Sequence, residues 1–270
     1  MSMGKKRIGV TEALRTQHLQ EFERGLSSGN YKPYIRTQDF SSRGIRGRIA
    51  DPNSPGSSYH CMSLNETFKL IDLFRNPEIC DIKEQYAYVN LEKSKSFAKA
   101  LQIRHPRYKW SRLDAAITFD FFCTLRSGMH RVVSVKPESD VQESRVQEKL
   151  LLEKAICDSE GYEYILVLDN EIKTEQNRNL IRVLKGAKLN NKLEEIYPKW
   201  LSHFSHYLGQ LPHEPLSDSI QNAATSNDVS YQESFRLMQH AFWLGHLESD
   251  PELPLLPEHS PYLLGVECHV

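Results

Sequence analysis

The chain has 270 residues, of which 39% are hydrophobic and 26% are charged, and its net charge is −1 at pH 7. This composition is ordinary for a globular protein, and the length suits one large domain or two. The apolar runs fall far short of the ~20 residues that span a bilayer. Residues 1–10 are too polar for a secretory signal. These features exclude a membrane-spanning protein and predict a cytoplasmic one.

The five cysteines are scattered along the chain. None of them has the Cys-x-x-Cys spacing of zinc sites, and their odd number does not suit a disulfide framework. We therefore expect small buried side chains in a reducing compartment.

Charge is segregated along the chain. Residues 1–50 carry ten Lys or Arg against four Asp or Glu, and residues 101–136 carry seven against two. Residues 211–270 carry one against nine. The basic front part suits a polyanion such as DNA, because phosphates dominate the affinity of nucleic-acid-binding proteins. Ordinary solvated faces are the alternative, but they do not explain the segregation.

The first predicted elements are a helix over residues 5–26, an extended piece over 30–40 and a loop over 41–58. The loop is rich in Ser, Gly and Pro. Arg43, Arg46 and Arg48 stand among its glycines and can reach DNA phosphates. A surface loop without a ligand is the alternative.

Residues 63–74 are predicted to form a helix, because its apolar residues recur at helical spacing. Glu66 lies in the first turn and has two possible roles. With Ser63 it matches a capping box, in which the glutamate bonds back to the Ser63 backbone amide. It also suits a metal ligand, and the same carboxylate oxygens cannot fill both roles.

A strand is predicted over 82–89, followed by a short helix over 93–103. The next segment, residues 105–110, is basic and aromatic. Arg107 and Lys109 make it a candidate DNA-facing loop, with a loop anchored by Trp110 as the alternative.

Residues 115–137 are predicted to form a β-hairpin. Apolar and polar residues alternate from Ile117 to Thr124, Gly128 lies in the turn, and Pro137 ends a second β-branched run. Asp120 lies in the first strand and Lys136 at the end of the second. This arrangement brings a carboxylate, which can hold Mg²⁺, close to an ammonium group. A simple cross-strand ion pair is the alternative.

A helix over 141–158 and a buried strand over 164–169 complete a mixed sheet flanked by helices. Glu153 is predicted on the solvated side of this helix, with support of the site as the alternative. We place a domain boundary at 170–175, giving domains 1–172 and 173–270. The second domain is predicted to be mainly α, with helices over 177–187, 193–208 (Pro198 as a possible break), 216–224 and 231–247. A Pro-rich stretch and an extended end over 262–266 complete a winged-helix pattern. Its acidic charge favours binding to protein over DNA.

The order of helix Glu66, strand, strand Asp120 and strand Lys136 is that of metal-dependent nuclease cores of the restriction-endonuclease-like fold. The chain also resembles the TnsA family, the endonuclease subunits of heteromeric cut-and-paste transposons, from about Tyr31 to Ile172. The resemblance lies in Tyr31-x-Pro33, Ser41-Ser42-x-Gly44, Glu66, Asp81-Ile82-Lys83-Glu84-Gln85, His105-Pro106, Thr118-Phe119-Asp120-Phe121, Val135-Lys136-Pro137, Glu148-Lys149-Leu150 and Asp169-Asn170-Glu171-Ile172.

The resemblance implies that Glu66, Asp120 and Lys136 are catalytic and that the Val135 carbonyl is a further metal ligand. The metal would be Mg²⁺, with Mn²⁺ as a substitute. It also implies cleavage of double-stranded DNA at the 5′ transposon ends, a TnsB-type transposase as partner, and a TnsC-type ATPase bound by the C-terminal domain. Ser134 departs from the Asp, Glu or Gln usual at its position, and serine is a poorer metal ligand. A non-catalytic adaptor and a stand-alone nuclease of the same fold are the alternatives.

Overall fold

A computed structural model of the chain describes residues 10–39, 45–52, 54, 56–108 and 110–269. These residues form two compact units. The first lies within Met1–Ile49 and Ser58–Ile172, and the second lies within Ala50–Ser57 and Lys173–Val270. In the described part of the chain, no helix combines the length and the apolar character needed to cross a membrane.

The elements up to residue 172 are five α-helices and six strands within the described residues. In chain order they are α1 (Glu12–Ser27), β1 (Gly47–Ala50), β2 (Ser58–Cys61), α2 (Leu64–Arg75), β3 (Ile79–Tyr88), α3 (Leu91–Ala100), β4 (Ile117–Leu125), β5 (His130–Lys136), α4 (Ser144–Glu160), β6 (Glu163–Leu168) and α5 (Asp169–Ile172).

The centre of the first unit is a four-stranded mixed sheet in the order β3-β4-β5-β6. β3 and β4 are antiparallel, as are β4 and β5, whereas β5 and β6 are parallel. Leu152, Ile156 and Cys157 of α4 pack in one buried cluster with Phe119 and other residues of the sheet. The predicted mixed sheet flanked by helices is therefore confirmed.

The β4–β5 hairpin is closed as the sequence predicts. Leu125 N donates to the Met129 carbonyl at 2.9 Å, and Gly128 N donates to the Leu125 carbonyl at 2.9 Å. Gly128 has a φ of +84°, which only glycine adopts without strain. The turn sets the register that brings the end of β5 alongside Asp120.

The predicted loop over 41–58 is wrong in part. β1 begins at Gly47, β2 begins at Ser58, and the two strands pair in a small sheet of their own. Burial alternates along β1, where Gly47 and Ile49 are half-buried and Arg48 and Ala50 are exposed. The glycines of this stretch make the alternation hard to recognise in the sequence. Arg43 lies outside the described residues.

The second unit is mainly helical. It contains α6 (Glu175–Val183), α7 (Asn191–Gln210), α8 (Leu216–Ser226), α9 (Tyr231–Leu244), β7 (Leu247–Glu248), α10 (Pro261–Leu264) and β8 (Glu267–Cys268), and β7 pairs antiparallel with β8. Its core is centred on Trp200 and Phe204, whose rings stack with centroids 4.7 Å apart.

Two local predictions in this unit are wrong. Pro198 does not break α7. It lies on the exposed side of the helix with Glu194, where water can replace the lost backbone hydrogen bond. The predicted extended end over 262–266 is instead the short helix α10, which Ser260 caps by accepting from Leu263 N at 3.2 Å.

All five cysteines are free thiols. Cys61, Cys123 and Cys157 are buried as expected, whereas Cys80 is exposed and Cys268 is half-buried. The expectation of buried side chains is therefore wrong for Cys80, because it lies where β3 has a register shift near its start.

Candidate active site

Asp120 and Lys136 form an ion pair across the β4–β5 hairpin. Lys136 Nζ lies 2.7 Å from Asp120 Oδ2, and the same oxygen accepts from Val135 N at 2.7 Å. Lys136 also donates to the Val135 carbonyl at 2.9 Å. The side chains of Asp120 and Lys136 are only 13% and 16% exposed. The Val135 peptide is therefore part of the same compact site.

Both members of this pair are charged. Burial disfavours the ionised form of Asp120, but the positive charges of Lys136 and Lys149 outweigh burial and lower its pKa. Burial likewise disfavours the ammonium of Lys136, but the negative charges of Asp120, Glu153 and Glu66 raise its pKa. Lys136 therefore keeps its proton at neutral pH.

Glu66 is buried in the first turn of α2. Its Oε2 accepts from Met62 N at 2.8 Å and from Gln85 Nε2 at 3.0 Å, and its Oε1 accepts from the Ser63 hydroxyl at 3.0 Å. Ser63 caps the helix by accepting from Glu66 N at 3.1 Å. The carboxylate thus bonds to the amide of Met62 and not of Ser63, so of the two roles left open for Glu66 the capping box is wrong.

Burial and the negative charge of Asp120 raise the pKa of Glu66 to about 7, against the hydrogen bonds from Met62 and Ser63, which lower it. The two carboxylates therefore repel each other when both are ionised. A divalent cation between them would remove this repulsion.

The donor set fits Mg²⁺. Two carboxylates and the Val135 carbonyl are hard oxygen ligands, and Mg²⁺ commonly takes one or two carboxylates and fills its other positions with water and substrate phosphate. In the part of the chain that the structure describes, no group of three or more His, Cys, Asp or Glu side chains could hold a metal ion. The residues suit an ion that relies on substrate and water for its remaining ligands.

A second, buried group lies behind the ion pair. Ser134 and Glu153 are fully buried, and the Ser134 hydroxyl donates to Glu153 Oε2, which also accepts from the Tyr164 hydroxyl at 3.1 Å. Lys149 Nζ lies 3.3 Å from Glu153 Oε1. The predicted solvated position of Glu153 is wrong, because Glu153 shares the buried face of α4 with Leu152 and Ile156. The spacing of Glu153 with these two apolar residues is the sequence signal that indicates its burial.

The described arginines that are predicted to bind DNA differ in their contacts and exposure. Arg46 donates to the Thr37 carbonyl, and Arg48 lies exposed in β1. Arg107 is 63% exposed and donates to Asp114 Oδ1 at 3.0 Å. Trp110, which the alternative reading uses as an anchor, is 64% exposed. Arg43 and Lys109 lie outside the described residues, so DNA contacts of these side chains stay predictions.

A mixed sheet that carries Asp120 and Lys136, with Glu66 in helix α2, matches the nuclease class predicted from the sequence. Comparison with known families agrees, since a model described as "TnsA-like endonuclease N terminal" matches residues 76–169. That span includes Asp120, Val135 and Lys136, whereas Glu66 precedes it.

A curated relative extends the similarity beyond this span. The chain is 25% identical over 232 residues to the transposon Tn7 transposition protein TnsA of Escherichia coli, covering 85% of this chain and 81% of that protein. The two comparisons confirm the resemblance drawn from the sequence, since the chain is similar to TnsA both in this domain and over most of its length.

Proposed function

We propose that the chain is a Mg²⁺-dependent DNA endonuclease subunit of a heteromeric transposase, which cleaves the 5′ ends of its transposon. The observation that carries the proposal is the Asp120–Lys136 pair with the Val135 peptide, next to the buried carboxylate of Glu66. The names of the matched family and of the curated relative, an endonuclease domain and a transposition protein, support the same reading.

Each site residue has a task in phosphodiester hydrolysis. Glu66, Asp120 and the Val135 carbonyl would hold the cation. When bound, Mg²⁺ supplies Lewis-acid polarisation of the scissile phosphate and lowers the pKa of water. The nearby carboxylates raise the pKa of Lys136, so it would orient water and neutralise charge on the phosphate as a donor.

We assign the first unit to the restriction-endonuclease-like fold and the second to a winged-helix-like protein-interaction domain. The helices α7 to α9, followed by the short antiparallel strands β7 and β8, support the second assignment. The second unit would bind the TnsC-type ATPase, because one basic residue against nine acidic residues in 211–270 opposes contact with phosphates. The TnsB-type transposase would cut the other strand.

Strand cleavage of labelled double-stranded transposon ends tests this function. The full chain is incubated with the DNA in Mg²⁺ or Mn²⁺, with and without the partner transposase, and wild type is compared with Asp120→Asn and Lys136→Ala. We expect a 5′-end cut that requires metal and partner and is lost in both variants. Lys154→Ala is the control, because Lys154 pairs with Asp158 on an exposed face of α4.

The other outcomes separate the alternatives. A specific cut without the transposase would favour a stand-alone nuclease. No cut under any condition, with binding to the ATPase intact, would favour an adaptor. Cleavage by Asp120→Asn at the wild-type rate would show that the assigned site is wrong.

A further inference from the structure

Gln85 has an unusual backbone for a residue inside a strand. Its φ is +48°, in the left-handed region that strains a residue with a Cβ, and its side chain is buried. The residues on either side of it pair with Phe121 and Phe119 of β4, which places Gln85 opposite Asp120. A strained residue at this register position lies beside the proposed active site, where such strain commonly has a function.

The carboxamide of Gln85 fixes the orientation of Glu66. Gln85 Nε2 and Met62 N both donate to Glu66 Oε2, at 3.0 and 2.8 Å, so both lone pairs of this oxygen are directed to the protein. Oε1 accepts only the Ser63 hydroxyl among the described donors, at 3.0 Å. Oε1 therefore keeps one lone pair for another partner.

The strained conformation is held by contacts outside the β3–β4 ladder. The Gln85 carbonyl accepts from Tyr34 N at 3.2 Å, and the preceding carbonyl, of Glu84, accepts from the Tyr31 hydroxyl. In a regular strand successive carbonyls point to opposite sides. Here both carbonyls accept hydrogen bonds from the segment that follows α1. These bonds hold the left-handed backbone of Gln85, which directs its side chain at Glu66.

We infer that Gln85 is a positioning residue of the active site: it holds Oε2 of Glu66 so that Oε1 is presented to the divalent cation. The inference rests on the proposed function and deepens it. It gives a role to the last residue of the Asp81–Gln85 motif, which the catalytic assignment leaves without one.

The test measures Mn²⁺ affinity by calorimetry, and the thermal midpoint, of the full-length protein without DNA. Gln85→Gly removes the carboxamide but adopts the positive φ without strain, and Gln85→Met keeps the length without a donor. Gln102→Gly is the matched control, because Gln102 is an exposed glutamine with a φ of +56° in the same unit. We expect both Gln85 variants to bind Mn²⁺ about 10–100-fold more weakly, as for other residues that orient metal ligands. The midpoint of Gln85→Gly should not fall below that of Gln102→Gly.

Mn²⁺ affinities of both Gln85 variants within about twofold of wild type would overturn the inference. A loss of affinity that appears only with a matching fall in the midpoint would also overturn it, because the role would then be structural. Wild type and Asp120→Asn separate these results from failure of the proposed function. A wild-type protein that binds no Mn²⁺, or an Asp120→Asn variant that binds it as tightly as wild type, would overturn the proposed function itself.

Discussion

Replacement of Lys136 by methionine should destabilise the first unit far more than loss of an ordinary ion pair. The ammonium lies 2.7 Å from Asp120 Oδ2, and the two side chains are only 16% and 13% exposed. Breaking a buried pair leaves an uncompensated charge and costs about 3–5 kcal/mol. Asp120 keeps its bond from Val135 N at 2.7 Å. We therefore expect a loss near the lower end, about 3 kcal/mol.

Two further variants test the cause of this loss. Asp120→Asn combined with Lys136→Met removes the orphaned charge, so most of the lost stability should return and the double-mutant cycle should show strong coupling. Lys154→Met breaks the Lys154–Asp158 pair, whose members are 58% and 60% exposed, and should cost only about 0–0.5 kcal/mol. Mg²⁺ should reduce the difference in stability between Lys136→Met and wild type, because a cation at Asp120 replaces the missing ammonium.

Native-state hydrogen exchange of peptides from residues 117–136 measures this stability within the first unit. The measurement is made with and without Mg²⁺. Equal losses for Lys136→Met and Lys154→Met would refute the reasoning, as would a double variant less stable than Lys136→Met itself. If Mg²⁺ left the difference in stability between Lys136→Met and wild type unchanged, the inference that a cation can replace the ammonium at Asp120 would be refuted.

Further predictions concern the second unit. A Cβ at Gly186 would lie 2.4 Å from His240 N, so Gly186→Ala should cost about 1–3 kcal/mol in urea unfolding. Gly209→Ala is its control, because nothing lies within 4 Å and alanine should stabilise α7 by about 0.5–1 kcal/mol. Ser234→Ala orphans the buried Trp200 Nε1, which donates to Ser234 Oγ at 2.8 Å, and should cost about 1–3 kcal/mol by the same measurement. Bonds from Lys192 and from the Ser230 backbone lower the pKa of Glu233 to about 2, from 4.5. The stability that Glu233 gives should therefore be complete above about pH 4.5 and be lost as the pH falls through 2, which carboxyl NMR titration and comparison with Glu233→Gln can check.

The hairpin and its ion pair could be predicted because they depend on local pattern. Alternation over Ile117–Thr124 and the glycine of the turn fix the register, and the register brings Lys136 to Asp120. The sheet order β3-β4-β5-β6 follows the tendency of consecutive strands to lie next to each other. These features need no knowledge of distant contacts.

Tertiary contacts decide the features that the sequence does not predict. The left-handed backbone of Gln85 is held by donors from Tyr31 and Tyr34, more than fifty positions away along the chain. Glu153 is buried because Ser134 and Tyr164, from two neighbouring strands, donate to it. The spacing of Glu153 with Leu152 and Ile156 is that of the buried face, but a charged side chain in a helix is usually solvated, so its residue type favours the wrong prediction.

Glu66 shows why helix capping and the candidate site need not exclude each other. Ser63 Oγ accepts the first-turn amide of Glu66 and donates its own proton to Glu66 Oε1, so the cap that starts α2 also orients the carboxylate. A free glutamate side chain would have several rotamers, and ordering it on metal binding would cost conformational entropy. Here Ser63, Met62 and Gln85 have fixed the rotamer before any ligand arrives. The raised pKa of Glu66 follows from the same burial and from the negative charge of Asp120. A divalent cation at the two carboxylates would favour the ionised form of Glu66, so its binding should displace the proton that the raised pKa retains.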